Sequence, residues 1–483
     1  MKVKFITLGC KTNQYETNAM EQNFKENGYE IINSDENNNA DIYVVNTCSV
    51  TNIAERKSRQ MLRRVKQENK NAIIAACGCY AQVAKEEIEK MPEVDIIIGI
   101  NEKNKIADII EEYLKKEKNK EVEVSDVMNE KEFQDFGSIT YTELTRAIVK
   151  IQDGCDRFCT YCIIPYARGR VRSRSPKSII DEIRKVSKIS PIMENKENKC
   201  YNEKDGFKEV VITGIHIASY GKDFTKEQAE NYRKMFGYDN NYKKYDPKYD
   251  LSTGGFRLIE LLEQINKIDG IERIRLGSIE PKLITEEFVE RLSKLNKVCN
   301  HFHLSLQSGC DSTLKRMNRR YTTEEFEKSA EMLRKNFKDV HLTTDIIVGF
   351  PGETEEEFNK TYEFLKNIKF YKMHIFKYSI RKNTVAEKMP NQVDGLIKEK
   401  RSKILIDLSN KNQEEYNKEM LGKNVKVLFE EEKEENGVKY YKGHTTNYAI
   451  VKVKSSENIC NKIIDVRITD LDNNDFSLIG EIN

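Results

Sequence analysis

The sequence carries no excess of either charge. Its 81 Lys and Arg stand against 79 Asp and Glu, a formal net charge of +2. No global basic field draws in nucleic acid, so any RNA site must be a local patch. Long apolar runs are also lacking. The longest, Ala72 to Cys77 and Val94 to Ile98, fall far short of the ~20 residues that span a bilayer. Met1 to Leu8 has no apolar stretch of the length an export signal needs. These absences point to a cytoplasmic protein without membrane contact. In such a reducing compartment the eleven cysteines are expected to be ligands or core residues, not disulfides.

A fourth metal ligand is missing too. The stretch Asp153-Gly-Cys-Asp-Arg-Phe-Cys-Thr-Tyr-Cys162 presents Cys155, Cys159 and Cys162 in a Cys-x3-Cys-x2-Cys spacing. The next Cys or His is Cys200, inside a Lys/Asn-rich stretch. A structural zinc site closes a tetrahedron with four ligands. Three thiolates on a cubic 4Fe-4S cluster instead leave one iron open to a substrate or cofactor. This spacing, with Tyr161 before the last Cys, resembles the signature of the radical S-adenosylmethionine (SAM) superfamily.

At 483 residues, 38% hydrophobic and 33% charged, the chain is a soluble globular protein of about three domains. The first segment, 1–130, alternates short apolar runs (Val3 to Leu8, Ile42 to Val45, Ile73 to Ala76) with helical patterns, including Asn52 to Glu68. This predicts a parallel α/β domain. Cys10, Cys48 and Cys79 each follow one of those strands. Ligands in open α/β sheets bind beyond the carboxyl ends of strands, so these thiols can converge on a second three-Cys cluster site. The alternative is three buried small hydrophobes. Cys77 competes with Cys79 for the position, although Gly78 releases the chain into a loop and favours Cys79.

The second segment, 140–380, offers six strands separated by helices: Ala147 to Gln152, Glu209 to Thr213, Ile271 to Leu276, His301 to Leu306, Val340 to Val348 and Met373 to Tyr378. Repeated βα units predict a partial (β/α)6 barrel whose open side admits a macromolecule. Polar residues collect at the carboxyl ends, including Asp153, Thr213, His216, Ser278, Glu280, Ser305, Gln307, Asp345 and Tyr378. Two Lys/Asn/Tyr-rich stretches, Ser190 to Phe207 and Asp223 to Gly255, read as loops or insertions, and the tyrosines of the second could stack on bases. A polar helical linker, within 381–419, leads to alternating short runs over 420–483 with a hairpin signal at Asn436-Gly437. These predict a small five-stranded β-barrel of a kind that commonly binds nucleic acid.

Local basic patches are the candidate RNA contacts. Arg168, Arg170, Arg172 and Arg174 alternate, so an extended chain would project four guanidinium groups on one side, suited to phosphates. Further sets are Arg56 to Arg64, then Lys315, Arg316, Arg319 and Arg320, and, in the small barrel, Lys439, Lys442, His444 and Tyr448.

Taken together, the chain resembles the methylthiotransferases of the radical SAM superfamily over essentially its whole length. The resemblance rests on Leu8-Gly-Cys-Lys-Thr-Asn-Gln-Tyr-Glu-Thr17, Asn46-Thr-Cys-Ser-Val-Thr51, Gly78-Cys-Tyr-Ala-Gln82, the Cys155 loop continuing into Pro165-Tyr-Ala-Arg-Gly-Arg170, Leu304-Ser-Leu-Gln-Ser-Gly309 and Asp345 to Glu353. Lys11 to Glu16, Thr213 to His216, Ser278 to Pro281 and Gly443 to Tyr448 are similar to the branch that acts on tRNA bearing N6-threonylcarbamoyladenosine beside the anticodon. Other branches act on isopentenyladenosine in tRNA or on a ribosomal-protein side chain. The final domain looks like the family's TRAM domain, an RNA-binding barrel.

The resemblance implies two 4Fe-4S clusters and SAM. Cys155, Cys159 and Cys162 would serve SAM cleavage; Cys10, Cys48 and Cys79 would hold the cluster that delivers sulfur; a second SAM would supply the methyl group. Thr213, His216, Ser278, Glu280, Ser305, Gln307 and Asp345 are expected to orient SAM and substrate. Implied partners are the tRNA, an electron donor such as flavodoxin or ferredoxin, and a sulfur donor. The contrasting reading is a non-catalytic, zinc-bearing RNA-binding protein.

Overall fold

The computed structural model describes residues 1–32, 40–116, 119–140, 145–189, 206–238, 256–435, 438–472 and 474–482. Its architecture is α/β and multidomain, as the patterning predicts. The first segment is one parallel sheet in the order β2-β1-β3-β4-β5-β6. The strands are β1 (Lys2–Thr7), β2 (Glu30–Ile31), β3 (Ile42–Thr47), β4 (Ile73–Gly78), β5 (Ile96–Ile98) and β6 (Glu121–Glu123). Every residue of β3 and β4 is buried, which explains their unbroken apolar character: helices cover both faces of the sheet. Val44, Ala75 and Cys77 pack into the core on one face, and Val45, Ile74 and Ala76 into the core on the other. Because β1, β3 and β4 are sheet neighbours, the residues just beyond their carboxyl ends lie side by side.

The middle segment is a curved wall. Its strands are β7 (Ala147–Asp153), β8 (Arg172–Ser173), β9 (Glu209–Gly214), β10 (Arg273–Leu276), β11 (His301–His303), β12 (His341–Val348) and β13 (Lys372–Lys377). They hydrogen-bond as β10-β9-β7-β8 and β11-β12-β13. Isolated parallel bridges, Ile274 with Val298 and Ile279 with Leu304, stitch the two sheets together. The two-residue β8 runs antiparallel to β7 and is an edge strand that the alternation pattern did not reveal. Helices such as Pro176–Val186 and Leu258–Ile265 pack Ile179, Ile183, Leu261 and Leu262 against the outside of this wall.

The helix Gly395–Lys418, begun by Asp394 accepting from the Leu396 amide, leads into the last domain. There β14 (Asn424–Glu435), β15 (Val438–Thr445), β16 (Ile450–Lys454), β17 (Ile463–Leu471) and β18 (Leu478–Ile482) close as β14-β15-β16-β18-β17. Glu435 pairs with Val438 around the expected hairpin, whose Asn436-Gly437 turn lies outside the described residues.

Three expectations need correction or restriction. The stretch after Asp223 is not all loop: the helix Lys226–Met235 begins in it, with Thr225 and Gln228 forming a capping box. Its described aromatic residues are structural rather than base-stacking, since Tyr232, Phe236 and Tyr238 surround Phe256, and Tyr220 just before it is buried and donates to the Arg174 carbonyl. Tyr242, Tyr245 and Tyr249, like most of Ser190 to Phe207, lie outside the described residues. Among the described residues nine cysteines are free, but Cys460 is disulfide-bonded, against the expectation that none would be. No described helix is long and apolar enough to cross a membrane.

The small barrel docks on the amino-terminal rim of the wall through buried arginines. Arg273 donates to the carbonyls of His444 and Lys426, and Arg275 to those of Thr445 and Thr446. Both converge with Arg146 on the buried Glu209, where Arg275 Nε lies 2.6 Å from a carboxylate oxygen. Burial alone would raise this carboxyl, but Arg275, Arg146 and Arg273 overcome it and hold it down to about 2. Glu209→Gln would leave three guanidinium groups without their shared counter-charge and is expected to lower unfolding free energy by about 3–5 kcal/mol. A depressed folded-state carboxyl stabilises above its unfolded value and loses that effect as pH falls through its folded one. The difference between wild type and variant should therefore be largest in denaturant titrations at neutral pH and shrink in acid.

Candidate active site

Glycines set the positions of three of the six candidate ligands. Gly9, Gly78 and Gly154 directly precede Cys10, Cys79 and Cys155, and all have φ in the left-handed region, +107°, +96° and +70°. A Cβ on Gly154 would stand 1.7 Å from the Arg170 carbonyl oxygen, and one on Gly78 would stand 2.4 Å from that of Thr47. Only glycine lets the chain leave each strand at that angle. Cys10 then occupies the N-cap of the helix Lys11–Glu26, Cys48 follows β3, and Cys79 opens the helix Cys79–Val83.

The thiols of Cys10, Cys48 and Cys79 lie close enough to perturb one another. Burial pushes the Cys48 thiol up to about 11, and Cys79 and Cys10 add to the rise. Burial likewise raises Cys79. Cys77 takes no part in the group: it is fully buried in the sheet core. In the other triad, burial and the neighbouring thiols push Cys155 and Cys162 up to about 12.

Both triads suit a cluster better than a single zinc ion. Among the described residues, only His303, Asp345 and His374 bring ligand atoms within 4.8 Å of one another. In each triad at least one pair of sulfurs therefore stands more than 4.8 Å apart, wider than the ~4 Å that zinc–thiolate bonds of about 2.3 Å would impose. Each triad also faces a cation that opposes the effect of burial. Arg168 Nε donates to Cys79 Sγ at 3.3 Å, and Arg319 Nη1 to Cys159 Sγ at 3.4 Å.

Beneath the Cys10, Cys48 and Cys79 group lies a buried ion cluster. Glu16 accepts from Lys103 at 2.5 Å, from Lys150 at 2.7 Å and from Arg168 at 2.7 Å. Asp153 accepts from Lys150 and Arg168. Burial alone would raise the Glu16 carboxyl, but Arg168, Lys103 and Lys150 hold it well below the usual carboxylate range. Three cations facing two carboxylates leave one positive charge beside Cys79, fit for a cluster whose thiolates carry negative charge. Arg381 ties the two sites together: it donates to Ser49, the residue after Cys48, and to Glu55, and its charge reaches Cys162.

This geometry overturns the reading of the arginine row as an RNA surface. Arg168, Arg172 and Arg174 are buried, at 0%, 2% and 1% exposure. The stretch is not one extended strand, because Arg168 ends the helix Ile164–Arg168 and Gly169 turns the chain. Arg174 pairs with Glu182 and with Asp135. Only Arg170 faces solvent, lying over the Phe158 ring at 4.7 Å beside the exposed Tyr166. Arg319, assigned to another basic patch, is likewise turned onto Cys159.

Of the barrel-rim residues, Glu280 forms an ion pair with Arg157 at 2.5 Å and meets His216 Nε2 at 3.2 Å, while Ser219 engages His216 Nδ1. The Ser305 carbonyl accepts from Arg319 and Tyr321. The Gln307 amide donates to the Asp345 carbonyl, and Asp345 meets His303 at 3.2 Å. Thr213 is buried, whereas Ser278 is exposed to a cavity of about 340 Å³. Arg157, Tyr321 and Arg381 escaped sequence reading. Arg157 stands inside the Cys loop itself, but Arg381 has no local signal, since its partners are more than 300 residues away.

The small-barrel candidates also turn inward. His444 pairs with Glu430 at 2.7 Å and stacks on Tyr448, which stacks in turn on His301 of β11. Lys442 alone of the three remains apart from these contacts, partly exposed on β15.

Comparison with known proteins agrees with this layout. Residues 2–99 match a family model described as Uncharacterized protein family UPF0004, and residues 197–365 match the Radical SAM superfamily. The threonylcarbamoyladenosine tRNA methylthiotransferase MtaB of Bacillus subtilis is 39% identical over 470 residues, covering 96% of this chain and 93% of that protein. The MtaB protein of Aquifex aeolicus is 38% identical, over 89% of this chain and 93% of that one. A tRNA-2-methylthio-N(6)-dimethylallyladenosine synthase of Clostridium tetani is 36% identical over 98% and 95% respectively.

Gly154→Ala is expected to displace Cys155 and cost the reconstituted protein about half its iron, because the added Cβ meets backbone that cannot give way. Gly28→Ala serves as control, having a similar φ of +81° but nothing within 4 Å of its would-be Cβ. Iron and sulfide analysis of both variants checks this.

Proposed function

The chain belongs to the tRNA methylthiotransferase family of radical SAM enzymes, and on that footing we propose that it installs a methylthio group at C2 of N6-threonylcarbamoyladenosine beside the anticodon. SAM would serve both as radical source and as methyl donor. The observation that carries this reading is the pair of three-cysteine sites, borne on two different sheets and braced against each other by Arg168 and Arg381. The substrate follows from the relatives: two named for threonylcarbamoyladenosine, at 39% and 38% identity, stand above the dimethylallyladenosine synthase at 36%.

Cys155, Cys159 and Cys162 would hold one 4Fe-4S cluster, and Cys10, Cys48 and Cys79 a second. Bound there, these groups and SAM supply hydrogen abstraction, sulfur and methyl transfer. The protein's part is positional and electrostatic. Arg319 and Arg168 donate to one sulfur of each triad, stabilising thiolate over thiol. Arg157, Glu280 and His216 form a charged chain at the mouth of β9 and β10, suited to fixing the polar ends of SAM. The partial barrel and the first domain together exclude water and stray hydrogen donors from the reacting carbon. Arg170 on Phe158, with Tyr166 beside it, offers a cation and exposed rings for RNA next to the first triad. A flavodoxin- or ferredoxin-type electron donor and a sulfur donor are the implied partners, in the cytoplasm where tRNA is modified.

Anaerobically purified protein should be brown and carry about eight irons. Colourless protein with zinc would support a non-catalytic role instead. Cys159→Ala should abolish SAM cleavage, whereas Cys48→Ala should retain part of it and lose thiolation, both read by chromatography of 5′-deoxyadenosine and of digested RNA. In a deletion strain, nucleoside mass spectrometry should find methylthio-threonylcarbamoyladenosine absent. Its persistence alongside loss of the isopentenyl analogue, or of a modified ribosomal protein, would move the substrate to that branch.

A further inference from the structure

The 340 Å³ cavity that Ser278 faces is walled by all three domains. Lys11 enters from the first, His303 and His374 stand on β11 and β13, and Tyr448 closes it from the small barrel. Its size lies within the ~300–1,000 Å³ typical of small-molecule sites. Lys11 directly follows Cys10 in the chain, and Ser278 stands two residues before Glu280, the partner of Arg157 in the other cysteine loop. The cavity thus adjoins the supports of both triads.

Its polar groups are unevenly satisfied. Arg275 is fully engaged by Glu209 and two carbonyls, and His303 uses both ring nitrogens, on Thr343 and Asp345. Lys11 has no hydrogen bond or ion pair to any described residue, although its side chain stands inside the cavity. His301, 94% buried by its 6% exposure, leaves Nδ1 without a partner. Tyr448 adopts φ +73°, a left-handed conformation rare for an aromatic residue, and is held there between His301 and His444. A residue held in a left-handed conformation, beside an ammonium with no partner among the described residues and an unpartnered ring nitrogen of His301, marks a site built for an anion rather than for an apolar group.

Resting on the function proposed above, we infer that this cavity is the subsite for the carboxylate of the substituent on adenosine N6, with Lys11 as its counter-charge and specificity-determining residue. Thr343 and Gln413, which also line the cavity, offer polar partners for the hydroxyl of that substituent. An isopentenyl group finds no such complement here.

The test uses the reconstituted full-length enzyme and anticodon stem-loop RNAs bearing N6-threonylcarbamoyladenosine, its methyl ester, or isopentenyladenosine. Wild type should lose roughly tenfold to hundredfold in RNA affinity and in kcat/KM when the carboxylate is esterified, the range expected for one charge-assisted contact. Lys11→Met should lose as much on the free acid yet nothing further on the ester, and Lys11→Arg should recover part of the loss. Equal loss on acid and ester would make Lys11 a support for the neighbouring cysteine site and overturn the inference. So would a rise confined to the KM for SAM, whose own carboxylate would then be the occupant. If Lys11→Met fails to fold, the wild-type comparison of acid with ester decides alone, indifference to esterification being the negative result. Failure of the underlying function is a separate outcome: wild type would then leave the threonylcarbamoyl RNA unmodified altogether.

Discussion

Burying Glu16 and Asp153 among Lys103, Lys150 and Arg168 is the constraint on which the rest of the active region depends. A carboxylate withdrawn from water is tolerated only when its partners are placed closely and its hydrogen bonds are complete. Here the partners come from different parts of the chain: Glu16 from the first helix, Lys103 from beyond β5, Lys150 and Asp153 from β7, and Arg168 from the turn after the Cys155 loop. None can move without leaving another charge buried and unmatched. The arrangement therefore fixes the first domain against the open side of the partial barrel and, through Arg168, sets Cys79 relative to the loop of Cys155. Two sites meant to act on one small ring need that rigidity, since reacting groups must be held to within a fraction of an ångström.

Most of the scaffold was legible from patterning. The central strands of the first sheet, β1, β3 and β4, and the parallel strands of the partial barrel are short apolar runs between helices, a pattern with few competing folds, whereas the short β2, β5 and β6 were not read as strands. The cysteines could be grouped because strand order puts the ends of β1, β3 and β4 together, and the fully buried Cys77 falls on the core face of β4, where period-two alternation places it. Less legible were features set by tertiary contact. The antiparallel β8 has two residues and no periodicity of its own. Arg381 reaches Ser49 across more than 300 residues, a distance at which sequence carries no geometric signal.

The arginines expose where sequence reasoning about charge fails. Alternation of Arg168, Arg170, Arg172 and Arg174 implies one exposed side only for a regular extended strand. A helix end and a left-handed glycine at Gly169 break that geometry, and three of the four side chains find carboxylates, a thiol or backbone carbonyls inside the molecule. With formal charges nearly balanced over the chain, many cations are committed to internal ion pairs. Density of Lys and Arg in sequence is therefore a poor guide to the RNA-facing surface; the informative feature is a cation left without a partner.

That criterion also changes what the small barrel is for. Its most aromatic and basic turn, Gly443 to Tyr448, is not spread over the outer surface but pressed onto the rim of the partial barrel, with Tyr448 between two histidines and under Arg275. Glu209 and Glu430 neutralise the guanidinium groups that dock it. Once those pairs are formed, Lys11 is left lining the adjoining cavity without an ion-pair partner among the described residues. Docking the domain thus does more than add a surface for RNA: it supplies one wall of the cavity that Lys11 lines, so that an anion arriving there meets a cation already in place. An RNA-binding module placed this way can sense the modification already present on the base, coupling recognition of the nucleoside to attachment of the tRNA.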